Sequence, residues 1–450
     1  MAGKLDHSGS GHDLDFSAVA VPPAARMPRS SLTMAWWAIC SAMFWLVVAA
    51  TLALNFGTWN AIVGLLLSVV AYGLINAVIT RYAIRTGLSV ALFSRLLFGH
   101  VGGALATLIF FATAIYYSVF EGSVIGVALH HYFPGLSLEL AYLLVVLYSV
   151  PLVFGSVQHW LDKFNGVLLP FYLLGLFGAV GFALYQYGYS GAWLTLGPAD
   201  GAPQYGWWSC FTYFMGVWIL MMYTWDYARF GRQEDADYHA RVNFGMPFYL
   251  FTFVVNGLVG IFLTATIPTA GGLSEVSIVL ALLQLMGIWG LLFVWVSQTR
   301  INTANFYLAT VNMQAFFQRI AGLRLPKVVW AIVVGAAVYL IMLTNVFSFI
   351  LQALAYQGIF VVAWVAIALT HIGLSRQPPL AEHGERVPAF NAGGLSAWFA
   401  GAGAGILLLH ADARLAEFSA PVTALIAALS YALLLALSRQ RRLVSAEEAT

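Results

Sequence analysis

The stretch "LATLIFFATAIYYSVFEGSVIGVAL", residues 105–129, decides the fold class, because it contains a single charged residue. About 20 predominantly apolar residues are enough for a helix to cross the hydrocarbon core of a bilayer. The single charge is Glu121, and an ionised side chain inside a membrane usually faces a cavity, a partner or a transport pathway. The stretch therefore predicts a transmembrane helix that carries a functional carboxyl group.

The rest of the chain has the same character. Hydrophobic residues make up 61% and charged residues 8% of the sequence, whereas soluble domains contain about 25% charged residues. Twelve apolar spans are predicted, at 33–56, 58–80, 101–129, 138–157, 164–188, 207–225, 244–268, 280–311, 328–346, 348–371, 393–410 and 419–438. The sequence thus predicts an all-α, polytopic membrane protein with twelve transmembrane helices.

The distribution of Lys and Arg predicts the orientation. With the N-terminus in the cytoplasm, eighteen of the twenty lie on inner segments; Arg414 lies on an outer loop and Arg300 inside a span. Such a bias follows the positive-inside rule and predicts a multi-pass protein of the cytoplasmic (inner) membrane with both termini cytoplasmic. The predicted organisation is a flexible tail (1–30), a transport core (31–371), a cytoplasmic loop (372–392), two peripheral helices (393–438) and a tail (439–450).

Several function classes are disfavoured by composition. The net charge of +2 gives no indication of a nucleic-acid partner. Neither metal-binding spacings nor a phosphate-binding loop occur, and no polar catalytic cluster is visible, so we predict neither an enzyme nor a resident metal or cofactor. His130 and His131 could form a metal pair, although a hydrated helix end explains them better. The oligomeric state is left open.

Two opposite charges lie deep in predicted spans, Glu121 in the third and Arg300 in the eighth. If the core consists of two inverted five-helix repeats, approximately 31–190 and 205–371, these helices are equivalent and face each other near the midplane. Transporters built on inverted repeats place substrate and ion sites there. The alternative is an ion pair that only joins two helices, and apolar packing often replaces such a pair without loss.

Neighbouring residues suggest a site for a flat polar ring. Tyr117 lies four residues before Glu121 and shares its helix face. Asn302 and Asn305 are spaced three apart near Arg300, and an amide offers both a donor and an acceptor. Trp218 in the sixth span supplies a large aromatic face. These residues are the predicted substrate-binding set.

Three segments carry a family resemblance. They are "YAIRTGLSVALFSRLLFG" (82–99), "WDYARFGR" (225–232) and "INTANFYLAT" (301–310). Their order and spacing resemble the nucleobase–cation symporter family, which contains the purine/cytosine permeases and the allantoin and hydantoin carriers. The resemblance implies twelve helices, with ten in an inverted-repeat (LeuT-like) core, alternating access, and a small planar substrate near the midplane.

The resemblance also implies roles for single residues. Tyr117 matches the aromatic residue that stacks on the substrate ring, and Glu121 matches a position where the family often has a Gln that binds the substrate. The aromatic residue of the sixth helix falls near Trp218, although Val217 is equally close. The Asn of the eighth helix corresponds to either Asn302 or Asn305.

Departures from the family pattern include the coupling ion and the first span. Sodium-coupled members bind the ion between carbonyls of the first helix and hydroxyls of the eighth, where this sequence has Arg300. A guanidinium stays protonated and would repel sodium, so we expect it to replace the ion, with transport coupled to protons through Glu121 or uncoupled. The first span also lacks an interior Gly or Pro, so its composition does not predict the unwound middle that the family implies.

Together these features predict a secondary active transporter for a nucleobase or related nitrogen heterocycle, of the cytosine, purine, hydroxymethylpyrimidine or allantoin type. The first alternative is a carrier of amino acids or amines on the same fold, with Glu121 pairing a substrate ammonium. The second is a membrane receptor that does not transport. The protonation state of Glu121 is left open.

Overall fold

The protein is described by a computed structural model over residues 19–154, 157–268, 276–344, 346–375 and 387–447. In these ranges the chain forms helices and connecting loops, with one isolated β-bridge between Met27 and Gly231. The predicted all-α class is therefore confirmed. The helices are α1 Arg29–Trp37, α2 Phe44–Phe56, α3 Thr58–Thr86, α4 Val90–Phe98, α5 Ala104–Tyr132, α6 Leu138–Leu152, α7 Val157–Tyr187, α8 Gly206–Met215, α9 Ile219–Ala228, α10 Ala236–Tyr238, α11 Met246–Tyr249, α12 Asn256–Thr266, α13 Ser277–Met286, α14 Ile288–Ala321, α15 Lys327–Met342, α16 Ile350–Leu374, α17 Ala392–Leu409, α18 Ala413–Ala416 and α19 Ser419–Glu447.

Many of these helices have the length and composition of membrane spans. Within the described residues, seven are long and apolar enough to cross a bilayer, and the bent pair α1–α2 makes an eighth. Three shorter apolar helices, α6, α13 and α15, add to them. The chain is thus a multi-span membrane protein, while the exact number of twelve spans stays a prediction.

Two predicted spans are interrupted. The first span consists of α1, a 3₁₀ turn at Ala38–Ser41, and α2, with a bend of 42° between the two halves. The sixth consists of α8 and α9, separated by a turn at residues 216–218. These two spans occupy equivalent places in the proposed five-helix halves, and broken helices of this kind form the binding sites of inverted-repeat transporters.

Other boundaries also differ from the predicted ones. The predicted eighth span, 280–311, joins two separate helices, because the chain turns at Gly287 between α13 and α14. Gly287 has a φ of 54°, a conformation that glycine adopts more readily than other residues. The stretch between the second and third predicted spans, residues 81–100, contains α4. Short apolar helices at an angle to a span cannot be separated from it by hydropathy alone.

The packing places α5 and α14 at the centre. These two helices contact each other more extensively than any other pair of described elements. Helices α2 and α12 also pack together, as do α3 and α8, whereas α17 and α19 pack on each other and on α16. Glu121 on α5 and the polar stretch of α14 therefore lie in the interior of the bundle.

Candidate functional site

Side chains stabilise the break in the first span by donating hydrogen bonds to its backbone carbonyls. Ala42 has an extended backbone (φ −64°, ψ 128°), which stops the helical hydrogen bonding. The indole N–H of Trp45 donates to the Ile39 carbonyl at 2.9 Å, and the Arg300 guanidinium donates to the Ala38 carbonyl. Because these side chains satisfy carbonyls that a helix would otherwise pair, the break needs neither Gly nor Pro.

The break in the sixth span is connected to α5 through α16. The side-chain amide of Gln357 donates to the Gly216 carbonyl at 2.8 Å and to the Tyr117 hydroxyl at 3.1 Å. Gly216 has to be small, because a Cβ there would lie 2.2 Å from the Leu354 carbonyl oxygen of α16. Helix α16 therefore positions both this break and the ring of Tyr117.

Glu121 is paired with an amide and not with the predicted arginine. Its side chain is 2% exposed, and its Oε2 accepts a hydrogen bond from Nε2 of Gln298 on α14. Oε1 of the same amide accepts from the Met43 backbone N–H at 3.1 Å. Because the backbone N–H of Met43 can only donate, the side-chain oxygen of Gln298 must face Met43, and its NH₂ group must face Glu121. This chain connects the carboxyl group to the break in the first span.

Arg300 lies on the other side of the same break. It is 3% exposed; one arm donates to the Ala38 carbonyl, and Nη1 is buried without a hydrogen-bond partner among the described residues. Among the described acidic residues, including Glu121, none comes within 4.0 Å of its guanidinium nitrogens. The alternative of an ion pair that merely joins α5 to α14 is therefore wrong for these two residues.

Glu121 and Arg300 nevertheless share one cavity, as the repeat argument predicted. The cavity has a volume of about 70 Å³, and it is lined by Tyr117, Glu121, Arg300 and Asn305 together with Tyr223 and Tyr227 of α9. Ligand pockets usually measure roughly 300–1,000 Å³, so this one has room for only a few water molecules. A larger ligand would enter only if the lining side chains moved apart.

Two residues of the predicted set lie elsewhere. Trp218 is buried at the break between α8 and α9 and is not among the residues that line the cavity. Asn302 is fully buried on α14 without lining the cavity, and both polar atoms of its amide have no hydrogen-bond partner within the described chain. The reason is rotational: a step of three residues turns a helix by about 300°, so Asn302 and Asn305 need not meet the same surroundings.

Sequence reasoning missed several residues around the cavity. Tyr223 and Tyr227 are four residues apart on α9, and this spacing could have indicated a shared face. Gln298 lies two residues before Arg300 in a span, so its buried polar character was visible. Phe44, which also lines the cavity, packs edge-on against Tyr117 with ring centroids 5.3 Å apart. Nothing in the composition of the first span singled it out.

The motif "WDYARFGR" joins the end of α9 to α4. Oδ1 of Asp226 accepts from the Val90 backbone N–H at 2.8 Å, and the Trp225 indole donates to the Leu88 carbonyl at 2.9 Å. Asp226 thus satisfies a free N–H at the start of α4. Trp225 and Asp226 thus have structural roles and do not line the cavity, whereas Tyr227 of the same motif does.

Substitutions of Asn302 and Asn305 test which of the two residues belongs to the candidate site. Asn305→Leu is expected to weaken binding of a heterocycle at least tenfold, because it removes a donor and an acceptor from the cavity. Asn302→Leu is expected to change binding less than twofold and not to lower the melting temperature, because it removes an unpaired buried amide, which costs about 1–3 kcal/mol. Ligand-induced thermal shifts of both variants check this. Stronger loss in Asn302→Leu would contradict the assignment.

Searches with the sequence alone and with the structure give different results. No protein-family model matches the sequence, and no curated protein does so either. The structure matches that of Mhp1, described as a nucleobase-cation-symport-1 family transporter, in a closed conformation with bromovinylhydantoin bound. The TM-score is 0.70 at 16% identity, over 94% of this chain and 96% of that chain.

Two further structures are similar. The inward-facing conformation of Mhp1 has a TM-score of 0.70 at 14% identity, covering 94% of this chain and 95% of that one. The substrate-bound outward-open state of a Na⁺-coupled sialic acid symporter has a TM-score of 0.57 at 10% identity, covering 90% and 89%. The chain thus shares the fold of Mhp1, which is the fold that the resemblance implied.

Proposed function

We propose that this protein is a secondary active transporter that imports a nucleobase or related small nitrogen heterocycle by alternating access. The observation that carries the proposal is the convergence of Tyr117, Glu121, Arg300 and Asn305 on one cavity beside a broken helix. The shared fold with a hydantoin-bound transporter supports it. We place the protein in the cytoplasmic membrane with both termini cytoplasmic.

The chemistry of the lining fits a flat heterocycle. The amide of Asn305 can donate and accept on adjacent ring positions, and the Tyr117 ring, fixed by Gln357, offers an aromatic face. Glu121 Oε1 has no hydrogen bond to a described residue and is available for an N–H of the substrate. The small volume of the cavity suits an occluded state between the two open ones.

A sodium site does not fit the residues present. At the first-span break, the Ala38 carbonyl accepts from the guanidinium of Arg300. A sodium ion about 4 Å from a guanidinium would be repelled by about 4 kcal/mol at an effective dielectric of 20. We therefore propose that Arg300 takes the place of the ion.

Proton coupling through Glu121 follows from this replacement. Arg300 cannot release its proton at a relevant pH, and the other titratable groups on the cavity are the neutral hydroxyls of Tyr117, Tyr223 and Tyr227. Glu121 is then the group on the cavity lining that can bind and release a proton during transport. Uncoupled transport is the remaining possibility.

A carrier of amino acids on the same fold is the second candidate. It is favoured by one observation, which is that a carboxyl group and a guanidinium border the same cavity and could bind the two ends of a zwitterion. Uptake of radiolabelled cytosine into proteoliposomes, competed in turn by adenine, hydroxymethylpyrimidine, allantoin and mixed amino acids, separates the two. Competition by amino acids alone, or binding without any flux, would contradict the proposal.

Transport that does not depend on sodium is the most direct consequence of the role proposed for Arg300. Uptake into proteoliposomes is expected to change less than twofold when external sodium is replaced by N-methylglucamine at constant pH, because the fixed guanidinium already occupies the ion's place. An inwardly directed proton gradient is expected to stimulate uptake under both conditions. Uptake that collapses without sodium and returns when sodium is restored would contradict the role given to Arg300.

A further inference from the structure

Arg300 is a buried cation whose hydrogen bonding is incomplete. It is 3% exposed, yet one carbonyl is its acceptor, and its Nη1 has no partner within the described chain. A buried charge is costly unless it is paired and hydrogen-bonded. The nearest candidate for a counter-charge on the cavity, Glu121, directs its Oε2 to Gln298. Arg300 therefore borders the cavity and keeps one buried donor without an acceptor within the described chain.

The formal charges of the cavity define a constraint. When Glu121 is ionised, its charge and that of Arg300 sum to zero, and the remaining titratable groups on the lining are tyrosine hydroxyls. Cys40, at the break in the first span, is a buried free thiol without formal charge. If a proton binds to Glu121, the cavity carries a net charge of +1. If an anion binds alone, it carries −1.

On the basis of the proposed proton-coupled function, we infer that the substrate is a planar heterocycle with one negative charge, whose anionic group binds to Arg300. One proton on Glu121 and one monoanion beside Arg300 return the cavity to zero charge. Each half-loaded state leaves an uncompensated charge in a medium of low dielectric constant, where it is strongly disfavoured. The empty and the fully loaded carriers are thus the two neutral states, and one proton enters with each monoanion.

The geometry of the guanidinium suits this role. Arginine presents a planar set of N–H donors that binds carboxylates through two parallel hydrogen bonds. Nη2 of Arg300 donates to the Ala38 carbonyl, so an oxygen of the ligand would bind through Nη1, which has no acceptor within the described chain. Asn305 lies five residues further along α14 and lines the same cavity, so it can bind the ring while Arg300 binds the charged substituent.

Matched ligand pairs test the inference on the purified full-length protein. Pyridine-3-carboxylate is compared with pyridine-3-carboxamide, and uracil-6-carboxylate with uracil-6-carboxamide, together with uncharged cytosine and adenine. Affinities are measured by thermal shift. For at least one ring, the carboxylate is expected to bind at least tenfold more tightly than its amide. The preference should disappear in Arg300→Gln and persist in Arg300→Lys, which retains the positive charge.

The outcomes separate this inference from the proposed function. Neutral rings that bind as tightly as their carboxylates, or a preference that survives in a folded Arg300→Gln protein, overturn the inference and leave a heterocycle transporter. Failure of every ring, charged or neutral, to bind overturns the proposed function and the inference together. If Arg300→Gln does not fold, uptake of the preferred carboxylate by the unmodified protein decides. Uptake that is electroneutral in voltage-clamped vesicles supports the inference, and uptake that moves net charge overturns it.

Discussion

Replacing Glu121 by glutamine is expected to abolish accumulation of substrate driven by a pH gradient while leaving exchange of bound substrate intact. Glutamine has nearly the same shape, and its carbonyl oxygen can still accept from Gln298. It cannot bind and release a proton, so the driving force is lost. In proteoliposomes with an acidic exterior, the internal concentration of substrate should fall to the level reached without a gradient.

The exchange assay on the same vesicles is the internal control. Labelled substrate inside should still leave when unlabelled substrate is added outside, with a rate within about threefold of the unmodified protein. A variant that retains pH-driven accumulation would show that the coupling proton binds elsewhere, leaving Glu121 with a hydrogen-bonding role. A variant that loses exchange as well would show that the carboxylate is required for substrate binding itself.

Gln298→Leu is expected to produce the largest loss of stability among changes at the site. The substitution leaves the Met43 N–H and the Glu121 carboxyl oxygen buried without their partner. An unsatisfied buried group costs about 1–3 kcal/mol, so the two together predict a loss of roughly 2–6 kcal/mol. The melting temperature in detergent should fall markedly, and transport should be lost because the break in the first span is no longer held.

An exchange of the two side chains provides a matched control. In the double variant Glu121→Gln/Gln298→Glu, the carboxylate on α14 can accept from the Met43 N–H and from the amide on α5. The melting temperature is expected to return to within a few degrees of the unmodified protein, while pH-driven accumulation stays absent. Full stability in Gln298→Leu alone would show that this chain of hydrogen bonds contributes little.

These two experiments examine one connection in the protein. The proton-binding candidate on α5 contacts the first-span break through a single amide, because Gln298 bonds to both Glu121 and Met43. Protonation of Glu121 changes the hydrogen bond that its oxygen accepts from Gln298. Because Gln298 also accepts from the Met43 N–H, this change also affects the hydrogen bond at the first-span break. A broken helix whose halves move relative to each other is the kind of element that alternating access requires.

The sequence by itself determined the all-helical membrane class and four of the residues that line the cavity. Hydrocarbon permits long backbone segments only as helices or closed barrels, so apolar runs of about 20 residues are informative without any knowledge of packing. The same physics makes Glu121 and Arg300 conspicuous, since charges are rare inside a bilayer. Tyr117 and Asn305 followed from helical spacing and from the family resemblance, and both line the cavity.

Only the tertiary structure decided which partners these residues have. Glu121 bonds to Gln298, Arg300 bonds to Ala38, and Asn302 lies away from the cavity. Hydropathy does not report how far each helix is rotated about its axis, and this rotation depends on packing against neighbours. The sequence did not indicate the break in the first span, because this break also depends on tertiary contacts. Its free backbone groups are satisfied by side chains that come from Trp45 and from the distant helix α14.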